Sequence, residues 1–151
     1  MRALTKALLN NVARKTELPV RPADVGVLLV DDEAAILSFG IRVLERAGYR
    51  PKLASHGVEA LQVARTMERL DVLVTDLMMP EMTGDELARQ LREANPELKV
   101  LYVTGHSDRL FENKPLLWEG EAFIDKPFTI ASIGQAIALL LYGHVAAPAP
   151  R

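Results

Sequence analysis

Five times between Val25 and Tyr142 the chain passes from a short apolar run rich in β-branched residues into a segment with weaker or helical periodicity. No other feature narrows the fold as much, because alternating strands and helices with short connections build a parallel sheet with helices on both faces. Val25, Val27, Leu28, Leu29 and Val30 form the first run, nearly continuous in the way of a strand buried on both sides. Ile36, Leu37, Ile41, Val43 and Leu44 then mark a helix from Ala34 to Ala47, stopped by Gly48. The pattern recurs as Pro51 to Ser55 with a helix to about Arg69, and as Val72 to Thr75 with a helix from about Gly84 to Ala94. Lys99 to Thr104 is the fourth strand, and Ala122 to Ile124 the fifth, with a helix from Ile130 to Leu141. Between those strands the periodicity fades and Pro115 removes a backbone donor, so residues 106–121 are expected to hold an irregular or shortened fourth helix.

Ligands of an open parallel sheet bind outside the carboxyl ends of its strands, and three of these runs end in charge. Asp31 and Asp32 follow the first, Asp76 follows Thr75, and Lys126 precedes Pro127 after the last. Three clustered carboxylates raise one another's pKa unless a divalent cation or an ammonium group compensates them. The pattern therefore reads as a magnesium site with a lysine beside it, equipment for handling a phosphoryl group. Plainer readings exist for each residue. Asp76 could cap a turn, and Asp31 and Asp32 could serve the positive end of the following helix. A lone Lys126 is ordinarily a solvated surface group, Thr104 could reflect β-propensity, and Phe123 could be a core aromatic. Met78, Met79 and Met82 read as fillers of apolar gaps, and His56, His106 and His144 are too scattered for a metal-ligand pattern.

At 151 residues the chain suits one domain with tails: an extension over 1–24 containing Pro19 and Pro22, a domain over 25–142, and a Pro/Ala-rich tail over 143–151. Within the extension, Leu4, Leu8 and Val12 would form an apolar stripe on a helix, flanked by Arg2, Lys6, Arg14 and Lys15. Such a short helix orders only by packing on something, whether its own domain, a second copy in a homodimer, or a partner. The net charge of -2, with basic residues dispersed, gives no footprint for nucleic acid. No apolar stretch approaches the roughly 20 residues that cross a bilayer, and no secretory signal pattern is present. Zero cysteines suit a reducing cytoplasm, the expected location.

Val30-Asp31-Asp32-Glu33, Asp76-Leu77-Met78-Met79-Pro80-Glu81-Met82-Thr83-Gly84, Val103-Thr104-Gly105 and Asp125-Lys126-Pro127-Phe128 occur in an order that resembles the receiver domain of two-component response regulators. The resemblance covers about residues 25–142. It implies a flavodoxin-like α/β fold, a doubly wound parallel sheet of order 2-1-3-4-5. It also implies that Asp76 accepts a phosphoryl group from a histidine kinase or histidine phosphotransfer protein. By the same resemblance, Asp32 is a direct magnesium ligand and Asp31 acts partly through water, with Asp76 and the backbone carbonyl of Met78 completing the protein's share. Lys126 and Thr104 would hold phosphoryl oxygens, Thr104 and Phe123 would form a switch, and the Lys126-Pro127 peptide would be cis. The expected output is contact with a downstream protein, since the tails leave no room for a DNA-binding domain. Two rivals keep the fold. One is an interaction module that works without phosphorylation. The other is a metal-dependent phosphatase, which needs a second Asp where this chain has Met78; turnover of external substrates is therefore not expected.

Overall fold

Val72–Thr75 is buried along its whole length, as is Val27–Val30, because the sheet they belong to carries helices on both faces. The computed structural model describes residue 19, residues 21–105 and residues 119–143. The strands are β1 (Val27–Val30), β2 (Lys52–Ala54), β3 (Val72–Thr75), β4 (Lys99–Thr104) and β5 (Glu121–Asp125). The helices are α1 (Ala34–Arg46), α2 (Gly57–Thr66), α3 (Gly84–Ala94) and α4 (Ile130–Tyr142), and a 3-10 turn spans Pro22–Asp24. All strand pairs are parallel and the order is β2-β1-β3-β4-β5, as the resemblance implies. The two sides of β1 feed two cores. Leu29 joins Val43, Leu44, Ile133 and Ile137 under α1 and α4, while Leu28 and Val30 join Leu87, Leu91 and Tyr102 on the other face. This follows from the two-residue period of strand side chains.

Several element ends differ from the sequence reading. β1 begins at Val27 because the Gly26 N–H donates to the Asp71 carboxylate (2.7 Å) and Val25 N–H closes the 3-10 turn on the Pro22 carbonyl (3.1 Å). α2 stops at Thr66 instead of running to about Arg69, since Met67 turns extended and Arg69 is drawn to Asp71 at 2.8 Å. β2 is limited to Lys52–Ala54, and β5 is longer than Ala122 to Ile124 at both ends. Polar caps set the starts of α2, α3 and α4. Thr83 accepts from Glu86 N–H, Thr129 and Ser132 form a reciprocal capping box, and His56 Nδ1 accepts from Glu59 N–H. Gly143 ends α4 at φ 73°, a conformation that favours glycine.

Residues 106–118 of the stretch read as an irregular fourth helix, the amino-terminal stripe, His106 and His144 all lie outside the described residues, and of that stretch Glu119 and Gly120 form a turn and Glu121 already belongs to β5. Among the described residues no helix is long and apolar enough to cross a membrane.

Candidate functional site

Three strands extend their hydrogen-bond ladders by one residue, and each extra residue carries a charge. Asp31 N–H donates to the Ala54 carbonyl (3.3 Å), Asp76 N–H to the Val30 carbonyl (3.0 Å), and Lys126 N–H to the Thr104 carbonyl (3.0 Å). The ladder thus fixes the backbone of all three at the carboxyl edge of the sheet. Their side chains meet there. Lys126 Nζ lies 2.9 Å from Asp31 Oδ2 and 3.3 Å from Asp76 Oδ2.

Carboxylate oxygens of Asp31, Asp32 and Asp76 all lie within 4.8 Å of one another. Asp31 is 1% exposed and Asp76 6%, whereas Asp32 faces solvent. The Asp31 carboxylate is oriented by Glu33 N–H (2.9 Å), and Asp76 Oδ1 accepts a longer bond from Met78 N–H (3.4 Å). An all-oxygen donor set of this density fits a hard divalent cation better than a soft metal. Buried carboxylates so close need positive charge, and among the described residues Lys126 supplies it. Burial pushes the Asp76 carboxyl above its ordinary pKa; the Lys126 charge opposes this and the Asp31 charge adds to it. Burial alone would lower Lys126, but its bond to Asp31 and the charges of both aspartates outweigh that and raise it. Lys126 is therefore a firmly held ammonium group.

The remaining sequence-derived residues surround this cluster. Thr104 ends β4 fully buried and pairs in register with Asp125, the residue before Lys126. Phe123 pairs with Tyr102 and is half-buried against the core beneath α2 and α3. Met78 contributes its backbone next to the Asp76 carboxylate, and the Lys126-Pro127 peptide is cis.

Three contributions escaped sequence reading. Glu33 Oε1 lies 4.0 Å from Lys126 Nζ, so the acidic run adds a third carboxylate near the ammonium. Gly84 opens α3 directly against the Asp76 carbonyl, where an added Cβ would collide with backbone. Phe39, 42% exposed, stacks at a tilt on buried Phe128 with ring centroids 5.4 Å apart, forming an apolar groove rimmed by Arg42 and Arg46 two residues from Lys126. The first was visible as Asp-Asp-Glu in the sequence; the other two depend on tertiary packing.

The family model for the response regulator receiver domain matches residues 27–138. Sensor kinase CckA of Brucella abortus (strain 2308) is 34% identical over 116 residues, 76% of this chain and 12% of that protein. The response regulator receiver protein CpdR of the same strain is 30% identical over 115 residues, 76% of this chain and 95% of that protein. The crystal structure of a response regulator receiver protein from Sinorhizobium medicae WSM419 matches with a TM-score of 0.68 at 30% identity, covering 78% of this chain and 94% of that one. The chain spans about half the length of several other curated relatives.

Proposed function

The chain belongs to the response regulator receiver family, and from that premise we propose that it is a phosphoacceptor whose Asp76 takes a phosphoryl group from a phosphohistidine and passes a signal on through protein contacts. The observation that carries this reading is the Lys126 ammonium bridging Asp31 and Asp76 inside a cluster of three carboxylates. A carboxylate oxygen of Asp76 attacks phosphorus and forms the P–O bond of an acyl phosphate. The P–N bond breaks, and its electron pair stays on the departing imidazole nitrogen. Phosphoryl transfer depends on positioning and on neutralising charge at the transferred oxygens. Lys126 Nζ, already on Asp76 Oδ2, donates to one of those oxygens, and the buried Thr104 hydroxyl at the end of β4 donates to another. Asp31, Asp32, Asp76 and the Met78 carbonyl are the groups that would hold magnesium, which neutralises phosphoryl charge when bound. Water later attacks the acyl phosphate and restores the carboxylate, so the chain consumes its own phosphoryl group and turns over no external substrate.

Phosphate on Asp76 would draw Thr104 toward it and free space beside β5, into which Phe123 turns. Phe carries no hydroxyl, so this switch works by burial. The donor is a histidine kinase or a histidine phosphotransfer protein, and the groove of Phe39, Phe128 and Ile130 next to Lys126 suits an apolar helix face of such a donor.

Incubation with a small phosphodonor and magnesium should add one phosphoryl group to the intact protein, measured by mass. Chelator should suppress the adduct and Asp76→Asn should lack it. Equal labelling of that variant overturns the assignment, and absence of labelling in the parent chain favours the phosphorylation-independent module.

A further inference from the structure

We propose that Thr75 is a positioning residue for the magnesium seat: its buried hydroxyl sets the direction of the Asp76 peptide, and through it the place of the Met78 backbone beside the Asp76 carboxylate. The inference rests on the phosphoacceptor reading above, which supplies the metal and the two ligands concerned.

Thr75 is the last residue of β3 and is 0% exposed. The residues before it are Val72, Leu73 and Val74, and a valine in its place would serve the strand as well as a threonine does. The hydroxyl is the difference. Buried away from water it needs a hydrogen-bond partner, and it finds one in the next residue's backbone: Thr75 Oγ1 donates to the Asp76 carbonyl at 2.9 Å. Other contacts close in on the same peptide. Asp76 N–H donates to the Val30 carbonyl of β1 at 3.0 Å, and Gly84 at the start of α3 lies so close that an added Cβ would strike both the Asp76 carbonyl and Thr75 Cγ2. The Leu77 carbonyl is engaged in turn by Gly84 N–H at 2.8 Å. Two successive carbonyls are thus held by Thr75 and Gly84. The next carbonyl, that of Met78, accepts no hydrogen bond among the described residues.

Met78 has little of its own to fix it there. Its N–H reaches Asp76 Oδ1 at 3.4 Å, near the outer limit for such a bond, so a small rotation of the preceding peptides would break the contact. The Met78 backbone therefore takes its place from the Asp76 peptide, and the Thr75 hydroxyl is the side-chain group that holds that peptide. Groups that orient metal ligands without touching the ion commonly govern its affinity.

Isothermal titration of magnesium into the full chain, without phosphodonor and well below the melting temperature, tests this. Thr75→Val keeps the branched shape and removes the hydroxyl, whereas Thr75→Ser keeps the hydroxyl. The first should weaken the dissociation constant by about tenfold, the lower end of the loss that removing such an orienting partner brings, and the second should stay within about twofold of the parent. Should Thr75→Val fail to fold, Thr75→Ala set against Thr75→Ser makes the same comparison. Parental affinity in the variant without the hydroxyl overturns the proposal. So does an equal loss in Thr75→Ser, which would trace the effect to lost packing. Mass labelling of the parent chain by a small phosphodonor keeps this separate from the underlying reading. A parent that takes no phosphoryl group while its variants split as expected loses the phosphoacceptor role and keeps the positioning; a labelled parent whose two variants bind magnesium alike loses the positioning alone.

Discussion

Asp76 sits between an ammonium group and another carboxylate, and the balance of those charges makes its ionisation a stability term. Its pKa is raised by burial, so the folded chain holds the proton more tightly than the unfolded chain does. Stability then falls as pH rises from the unfolded pKa through the folded one, and the ionised form carries the full penalty at neutral pH. Asp76→Asn, compared with the parent chain in chelator, should accordingly raise Tm at neutral pH, with the gain shrinking as pH falls through the raised folded pKa and mostly gone once pH drops under the unfolded carboxyl pKa of about 4. A gain that is unchanged across that range would mean that ionisation is not its source. Asp32 answers a different question, because it faces solvent and leaves the Lys126 bridge intact when removed. Magnesium that binds only the folded chain stabilises it by about 2.7 kcal/mol at a hundredfold excess over its dissociation constant. The thermal shift should therefore rise with magnesium in the parent chain and be largely lost in Asp32→Ala. An undiminished shift would locate the ion elsewhere.

At the level of elements, α3 connects the loop after Asp76 to β5. Its first residue, Gly84, touches the Asp76 carbonyl, and the Gly84 N–H donates to the Leu77 carbonyl at 2.8 Å. At its other end Arg92 donates to the buried Glu121 carboxylate at 2.8 Å, which Tyr102 Oη also reaches at 3.1 Å. Gly84→Ala should push helix and loop apart, costing about 1 to 3 kcal/mol in chemical denaturation and slowing labelling of Asp76. Unchanged stability and labelling would show that the loop yields without consequence. The start of α3 near Gly84 was legible in the sequence. The need for glycine there was not, since it arises from a contact with a residue eight positions earlier across the loop. The end of α2 was misplaced for a similar reason: Asp71 binds Gly26 in another strand connection, and no local propensity encodes that bond.

For the whole molecule, the sheet order brings α1 and α4 side by side, so that Phe39 and Ile130 stand exposed around buried Phe128, two residues along the chain from Lys126. Phe39→Ala combined with Arg42→Glu should lower phosphotransfer from a phosphorylated histidine protein by about tenfold, in line with the loss of an interface anchor. Labelling by a small phosphodonor should stay at the parental rate. Equal loss with both donors would trace the effect to the site itself. The amino-acid sequence by itself determined the alternation of strands and helices, the Gly48 stop of the first helix, and the charged residues that end β1, β3 and β5, because periodicity and stop signals are local properties of the chain. Only the tertiary structure decided that Lys126 meets Asp31 and Asp76 within bonding reach with Asp32 beside them, that Gly84 must lack a side chain, and that Phe39 and Leu139 are left exposed. Those outcomes depend on which strands pair and which helices pack between them, and contacts between distant segments carry no local signal.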